Sequence, residues 1–296
     1  MNAKESYLRA GQIHYEVCEK AKPLIKVGAK LLDIAREIES YIREYEEASL
    51  AFPVNLQLNN LVHYGPLPDD ETIITKEDLI KVDIGIHING YIADGAFTIT
   101  LNPDFQDMVD FTKKTLDNVL KDLKPGMKLS EIGKRLDKSM ECSEYKIVRN
   151  LMGHQLQQWD LHSEKSVLVY ESNKSDIMEP GDAFAVEIFI TDGNGFIKAS
   201  NKAVVYAISN LNAPTRLPKV KKLIKEIWNK RKSLPFTERY VTEHLGYTRV
   251  DFAFLRKTGA LHEYPILVEK EGSKVAQFED VIYIDEDKVI ITTQKH

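Results

Sequence analysis

Asp83, Asp94, His154, Glu187 and Glu279 are metal-type ligands set in stretches otherwise built for burial. Buried acids lose hydration and repel one another, so each needs a compensating partner. Two divalent cations would balance four carboxylates and leave a neutral cage able to stabilise one bound hydroxide. The chemistry this predicts is metal-assisted hydrolysis.

The two aspartates lie in KVDIGIHINGYIADGAFT, a strand-turn-strand pattern. A two-residue turn at Asn89-Gly90 pairs Asp83 with Ala96 and Gly85 with Asp94, which puts both carboxylates on one face. A turn at Ile88-Asn89 sets them directly opposite, and only a three-residue loop separates them. Val82, Ile84, Ile86, Ala93, Phe97 and Ile99 then face the core. By themselves, the pair also reads as the solvated face of an edge hairpin. Glu187 stands among Phe184, Val186, Ile188 and Phe189, and Glu279 in the equally apolar VAQFEDVIYI. For these two the competing reading is a buried salt bridge, yet no arginine lies near either in sequence. His154 follows Gly153, which predicts a sharp backbone turn beside a site; alone it reads rather as an ordinary buried histidine. Taken jointly, the five favour metal.

The elements that must position them occur twice. VGAKLLDIAREI at 27–38 matches PGMKLSEIGKRL at 125–136, and EDLIKVDIGIHINGYI at 77–92 matches PGDAFAVEIFITDGNGFI at 180–197. Each half thus reads as a helix followed by a strand entering a hairpin, with Asp83 corresponding to Glu187. The expected fold is α+β with two halves about a pseudo-twofold axis. Apolar spacing predicts helices over 4–20, 28–47, 105–122 and 128–143, and strands over 79–88, 91–101, 183–191, 195–207, 275–284 and 288–293. Residues 211–271 break this pattern. They read as an inserted subdomain of helices 218–232, 237–244 and 250–258, followed by strands in YPILVEK and KVAQF about the turn Glu271-Gly272-Ser273, between catalytic segments 1–210 and 272–296.

At 296 residues and 43% hydrophobic, the chain can bury a large core. A net charge of −5 gives no support for nucleic acid as the main partner. The basic run KVKKLIKEIWNKRK at 219–232 has an apolar stripe of Val220, Leu223, Ile224, Ile227 and Trp228, and its charges read as one solvated face. Two cysteines, Cys18 and Cys142, exclude a disulfide framework and a Cys-based zinc site and suit a reducing cytoplasm. No apolar run reaches the ~18 residues of a membrane span, and the start has no signal-peptide core, so a soluble, unprocessed cytoplasmic protein is expected.

The ordered set FPVNLQLN, HY-x-P, KVDIGIHINGYIADGAFT, NLMGHQ, LHS, AVEIF, YP and AQFE resembles type II methionine aminopeptidases over nearly the whole chain. The resemblance implies the creatinase-like "pita-bread" fold, with a helical, winged-helix-like insert over 211–271. It further implies two divalent ions (Mn, Fe, Co or Zn): Asp83 chelating one, Asp94 and Glu279 bridging, and His154 with Glu187 completing the other. A metal-bridging hydroxide would be the nucleophile and Glu187 the proton shuttle. His63 would bond the scissile amide and His162 the carbonyl beyond it. Phe52, Leu161 and Tyr264 would line the methionine pocket. The implied substrate is the N-terminal methionine of nascent chains with a small second residue, handled by a monomer with the ribosome as a further expected contact. Three positions depart from the family pattern. Only Leu61 and Val62 separate Asn60 from His63, one residue fewer than usual; Ser163-Glu164 follows His162 in place of small residues with glycine; and Asp280 replaces a customary histidine after Glu279. X-Pro peptidases share the five ligands but carry a different N-terminal domain, and the stretch before Phe52 is too short for it. Non-catalytic ribosome- or chromatin-binding homologues typically lose ligands that are all present here.

Overall fold

The computed structural model describes residues 1–173 and 176–295. In chain order the helices are α1 (Ala3–Ala21), α2 (Leu31–Arg43), α3 (Gln106–Leu120), α4 (Ser130–Met140), α5 (Pro218–Arg231) and α6 (Arg249–Arg256). The strands are β1 (Ser49–Leu50), β2 (Asn55–Leu58), β3 (Leu61–His63), β4 (Leu79–Ile88), β5 (Tyr91–Thr100), β6 (Lys146–Ile147) and β7 (Gly153–Leu156). They continue with β8 (Ser166–Val167), β9 (Ala183–Thr191), β10 (Lys198–Ile208), β11 (Phe236–Thr237), β12 (Leu261–Val268), β13 (Val275–Ile284) and β14 (Val289–Ile291).

The internal duplication is visible in backbone detail. Gly28 and Gly126 both take positive φ, +86° and +82°. Their amides donate to Ile74 and Met178 oxygens at 2.9 and 2.8 Å, and the amides of Leu31 and Leu129 donate to Thr72 and Asp176 at 3.0 and 2.9 Å. Lys30 bridges Ile73 as Lys128 bridges Ile177. Helices α2 and α4 therefore start two to three residues later than their apolar spacing predicts, because the preceding residues are spent on these bridges. Helix α1 crosses β4 and β5 with α2 against it, and α3 crosses β9 and β13 with α4 against it.

The large sheet runs β1-β4-β5-β13-β9-β7-β8, with β2 on β4, β6 on β9 and β14 on β13. One expectation fails here. Strand β4 turns directly into β5, but β9 makes no hairpin with β10; its neighbour is β13, which returns after the long excursion. The reason is burial. Phe278, Ile282 and Ile284 of β13 join the helix-covered core, while β10 opens with the exposed KASNK. Strand β10 instead joins β11-β10-β12-β3, a separate four-stranded sheet. The turn Glu271-Gly272-Ser273 passes the chain from β12 in the small sheet to β13 in the large one.

Helices α5 and α6 form a second core with β10 and β11, through Val220, Leu223, Ile224, Ile227, Phe236, Phe252 and Leu255. The expected helix at 237–244 is a single wide turn, Tyr240–His244. It is tied to α2 by a buried pair in which Arg239 Nη1 donates to Glu39 at 2.7 Å. Most of the basic run is solvated as expected, but Arg231 is buried, donating to Ala51 O at 3.0 Å and to Pro235 O.

Candidate metal centre

Side chains alternate along a strand, so residues directly opposite on neighbouring strands share a face. Asp83 pairs with Ala96, Ala96 with Glu279, and Glu279 with Glu187, which lays one rung across β4, β5, β13 and β9. Asp94 lies opposite Gly85, two residues along from that rung; His154 lies opposite Ala185, likewise two residues from Glu187. All five candidate ligands thus occupy two adjacent rungs on one face of the large sheet. The opposite face is the helix-covered core, with Val82, Ile84, Ile86, Ala93 and Phe97 as the hairpin register predicts. Asn89-Gly90 is the turn that fixes this register.

Asp94, His154 and Glu279 are buried and offer ligand atoms within 4.8 Å of one another. His154 Nε2 is 3.7 Å from Asp94 Oδ2. Gln277, two residues before Glu279, reaches both Glu279 Oε2 at 3.3 Å and Asp83 Oδ2 at 3.4 Å. Burial pushes the Asp83 carboxyl up to about 7, and burial with the nearby Asp83 charge takes Glu187 to about 8. Asp94 and Glu279 are raised well above the carboxylate range by burial and then by their acidic neighbours. Burial, reinforced by His162, pushes His154 well below its ordinary value.

Asp83 Oδ1, Asp94 Oδ1 and His154 Nδ1 are buried without a hydrogen-bond partner. The two buried arginines go elsewhere, Arg239 to Glu39 and Arg231 to main-chain oxygens, so the salt-bridge reading of Glu187 and Glu279 has no support among the described residues. Oxygen-rich donors, one imidazole and orphaned acid oxygens fit hard or borderline divalent cations.

All five candidate ligands line one cavity, which also takes in the remaining candidates: Phe52, Leu161 and Tyr264 on its apolar walls, and His63 and His162 beside the acids. The shortened connection before His63 is strand β3, paired with β12 through Leu267↔His63. His63 Nδ1 is 3.1 Å from the Pro265 carbonyl, so that nitrogen carries the proton, and burial keeps the ring below its usual pKa. The neutral ring leaves Nε2 as an acceptor. His162 sits with its ring 4.4 Å from that of His154; Ser163 N donates to Gln155 O at 3.0 Å, which holds the loop without the usual glycine. Asp280 faces away from the site, accepting from Thr293 Oγ1 at 2.7 Å and Gln294 Nε2 at 2.8 Å. As the next residue along β13, it lies on the other face of the sheet from Glu279.

Gly153 makes no sharp turn: it lies within β7, where a Cβ would come 2.3 Å from Ala185 O. Close approach of β7 to β9 is its purpose. Sequence reasoning also missed Gln277 and the Pro265 carbonyl. Gln277 was findable, since i−2 from a strand ligand shares its face; Pro265 acts through main chain and left no signal.

The sequence pattern of metallopeptidase family M24 matches residues 5–286. The chain is 33% identical to a methionine aminopeptidase of Pyrococcus horikoshii over 98% of its length and 99% of the relative's. It is 35% identical to one of Methanocaldococcus jannaschii over 98% of both. Its fold is similar to the structure of a thermophilic Arx1, with a TM-score of 0.82 at 19% identity, covering 99% of this chain and 90% of that one.

Proposed function

The chain belongs to metallopeptidase family M24, and from that premise we propose that this metallo-aminopeptidase removes the initiator methionine from nascent chains whose second residue is small. One observation supports this reading: four acids and one histidine on two adjacent rungs line a cavity with apolar walls and two further histidines.

Asp83, Asp94, His154, Glu187 and Glu279 would hold two divalent cations, drawn from Mn, Fe, Co or Zn. When bound, these supply positive charge against the acids, a water of lowered pKa and polarisation of the peptide carbonyl. The chain's own groups do the rest. Glu187 would take the proton from the attacking water on a carboxylate oxygen and return it to the leaving amine nitrogen as the C–N bond breaks. His63, with Nδ1–H held by Pro265, would accept the scissile amide N–H at Nε2, and His162 would donate to the carbonyl oxygen one residue further. Phe52, Leu161 and Tyr264 would enclose the unbranched thioether, gaining from burial and sulfur-aromatic contact. The free α-amino group would lie beside the acids. Crowding between His63 and His162 would restrict the second residue to a small one.

The test is release of methionine from Met-Ala-Ser by chelator-stripped protein, before and after each ion is restored, beside a proline-linked control peptide. Metal-dependent methionine release is expected. Cleavage of the proline control instead would make it an X-Pro peptidase, and no release with any ion would remove the enzymatic reading.

A further inference from the structure

Gln57 lies on β2, on the same sheet face as the ligands and one rung away from them. It is fully buried and sits opposite Lys81, which is opposite Thr98. The Thr98 hydroxyl donates to Gln277 O at 2.6 Å and accepts from Gln277 N at 2.8 Å, so the rung runs on into Gln277. Neither polar atom of the Gln57 amide completes a hydrogen bond, and Gln277 Oε1 has none either. Lys81 does not serve them: its Nζ donates to Asn59 O at 2.8 Å and Val275 O at 3.0 Å.

A buried polar group without a partner costs about 1–3 kcal/mol, and methionine or leucine would fill the space without that penalty. Such a residue in a folded protein calls for a reason at the site it adjoins. The neighbour is Asp83, two residues from Lys81 along β4. Asp83 Oδ1 is itself unpartnered on the adjoining rung of the same face, and Gln277 Nε2 lies 3.4 Å from Asp83 Oδ2.

We propose that Gln57 is a positioning residue for Asp83, orienting that carboxylate toward the bound cation from the β2 side while Gln277 orients it from the β13 side. The inference rests on the assignment of Asp83 as a ligand.

It is tested on the chelator-stripped full chain by calorimetric titration with Co2+, by the visible spectrum of the Co2+ form, and by the melting temperature without metal. Gln57→Met is expected to bind Co2+ about 10–100-fold more weakly, as for other residues that orient ligands. Its spectrum should change, and without metal it should melt no lower than the native protein because an unpaired amide has gone. Gln57→Asn, which withdraws the amide by one methylene, is the second variant should Gln57→Met not fold, and it should also weaken binding. Native affinity and spectrum in the variant that folds would overturn the proposal, as would weaker binding accompanied by a lower metal-free melting temperature. Asp83→Asn separates the two levels: if it too binds Co2+ normally, the ligand assignment falls, and if it alone loses binding, only the role of Gln57 does.

Discussion

Glu187 on β9 and Glu279 on β13 are direct cross-strand partners. Like charges in that relation destabilise a sheet, and here burial magnifies the conflict. Glu187→Gln should therefore melt higher than the native protein when both are stripped of metal. In the metal-loaded enzyme the same change should lower kcat by ~10²–10⁴-fold, the usual contribution of a positioned acid-base group. Melting curves and Met-Ala-Ser turnover check the two arms, and a stripped variant that melts lower would contradict the account of charge conflict.

The stripped protein should lose stability as pH rises. Asp83 at about 7 and Glu187 at about 8 stand above their ordinary values of 3.8 and 4.5. Between those limits the fold holds protons that the unfolded chain has released, so raising the pH removes them from the fold alone. This contribution is complete below about pH 4 and is lost as pH passes through about 8. Melting temperatures of chelator-treated protein should fall from pH 5 to pH 8, and saturating Co2+ should flatten that slope. Parallel profiles with and without metal would refute it.

Gly85 stands opposite Asp94, and a Cβ there would lie 2.2 Å from the Phe52 ring. Gly85→Ala must displace that ring, which lines the cavity. The expected result is a raised KM for methionyl peptides and a stability loss of about 1–3 kcal/mol, typical of overpacking. Steady-state kinetics and urea unfolding measure both; an unchanged KM would show that Phe52 does not shape the methionine pocket.

His63 is aimed by a main-chain oxygen rather than by a ligand residue. His63→Ala should thus reduce kcat by ~10²–10³-fold, as for loss of one oriented hydrogen-bonding group, and leave Co2+ affinity as it was. Kinetics paired with calorimetry would reveal the opposite pattern, a loss of metal with little effect on turnover, if the ring served the cations instead.

Much of this centre was legible in the chain. Acids amid Phe184, Val186, Ile188 and Phe278 are an electrostatic conflict that a counter-charge or a retained proton must resolve, and they stand out before any folding is considered. Either two-residue turn offered by the sequence puts Asp83 and Asp94 on one face, and the structure takes the one at Asn89-Gly90. The legible part ends where a side chain answers to groups far away in sequence. Gln57 carried no signal of its own in the sequence, and Arg231 read as one more solvated charge, until distant parts of the chain closed around them.

The sequence by itself determined which acids stand in apolar strands, the hairpin that sets both aspartates on one face and the repeated helix-strand halves, because these depend on alternation and turn geometry within a few residues. The tertiary structure alone decided that β13, not β10, lies beside β9, and so brought Glu279 opposite Glu187. It likewise decided that β3 and β12 carry His63 and Tyr264 to the cavity. Strand neighbours are chosen by which faces must be buried together, and that choice is made by the whole chain at once.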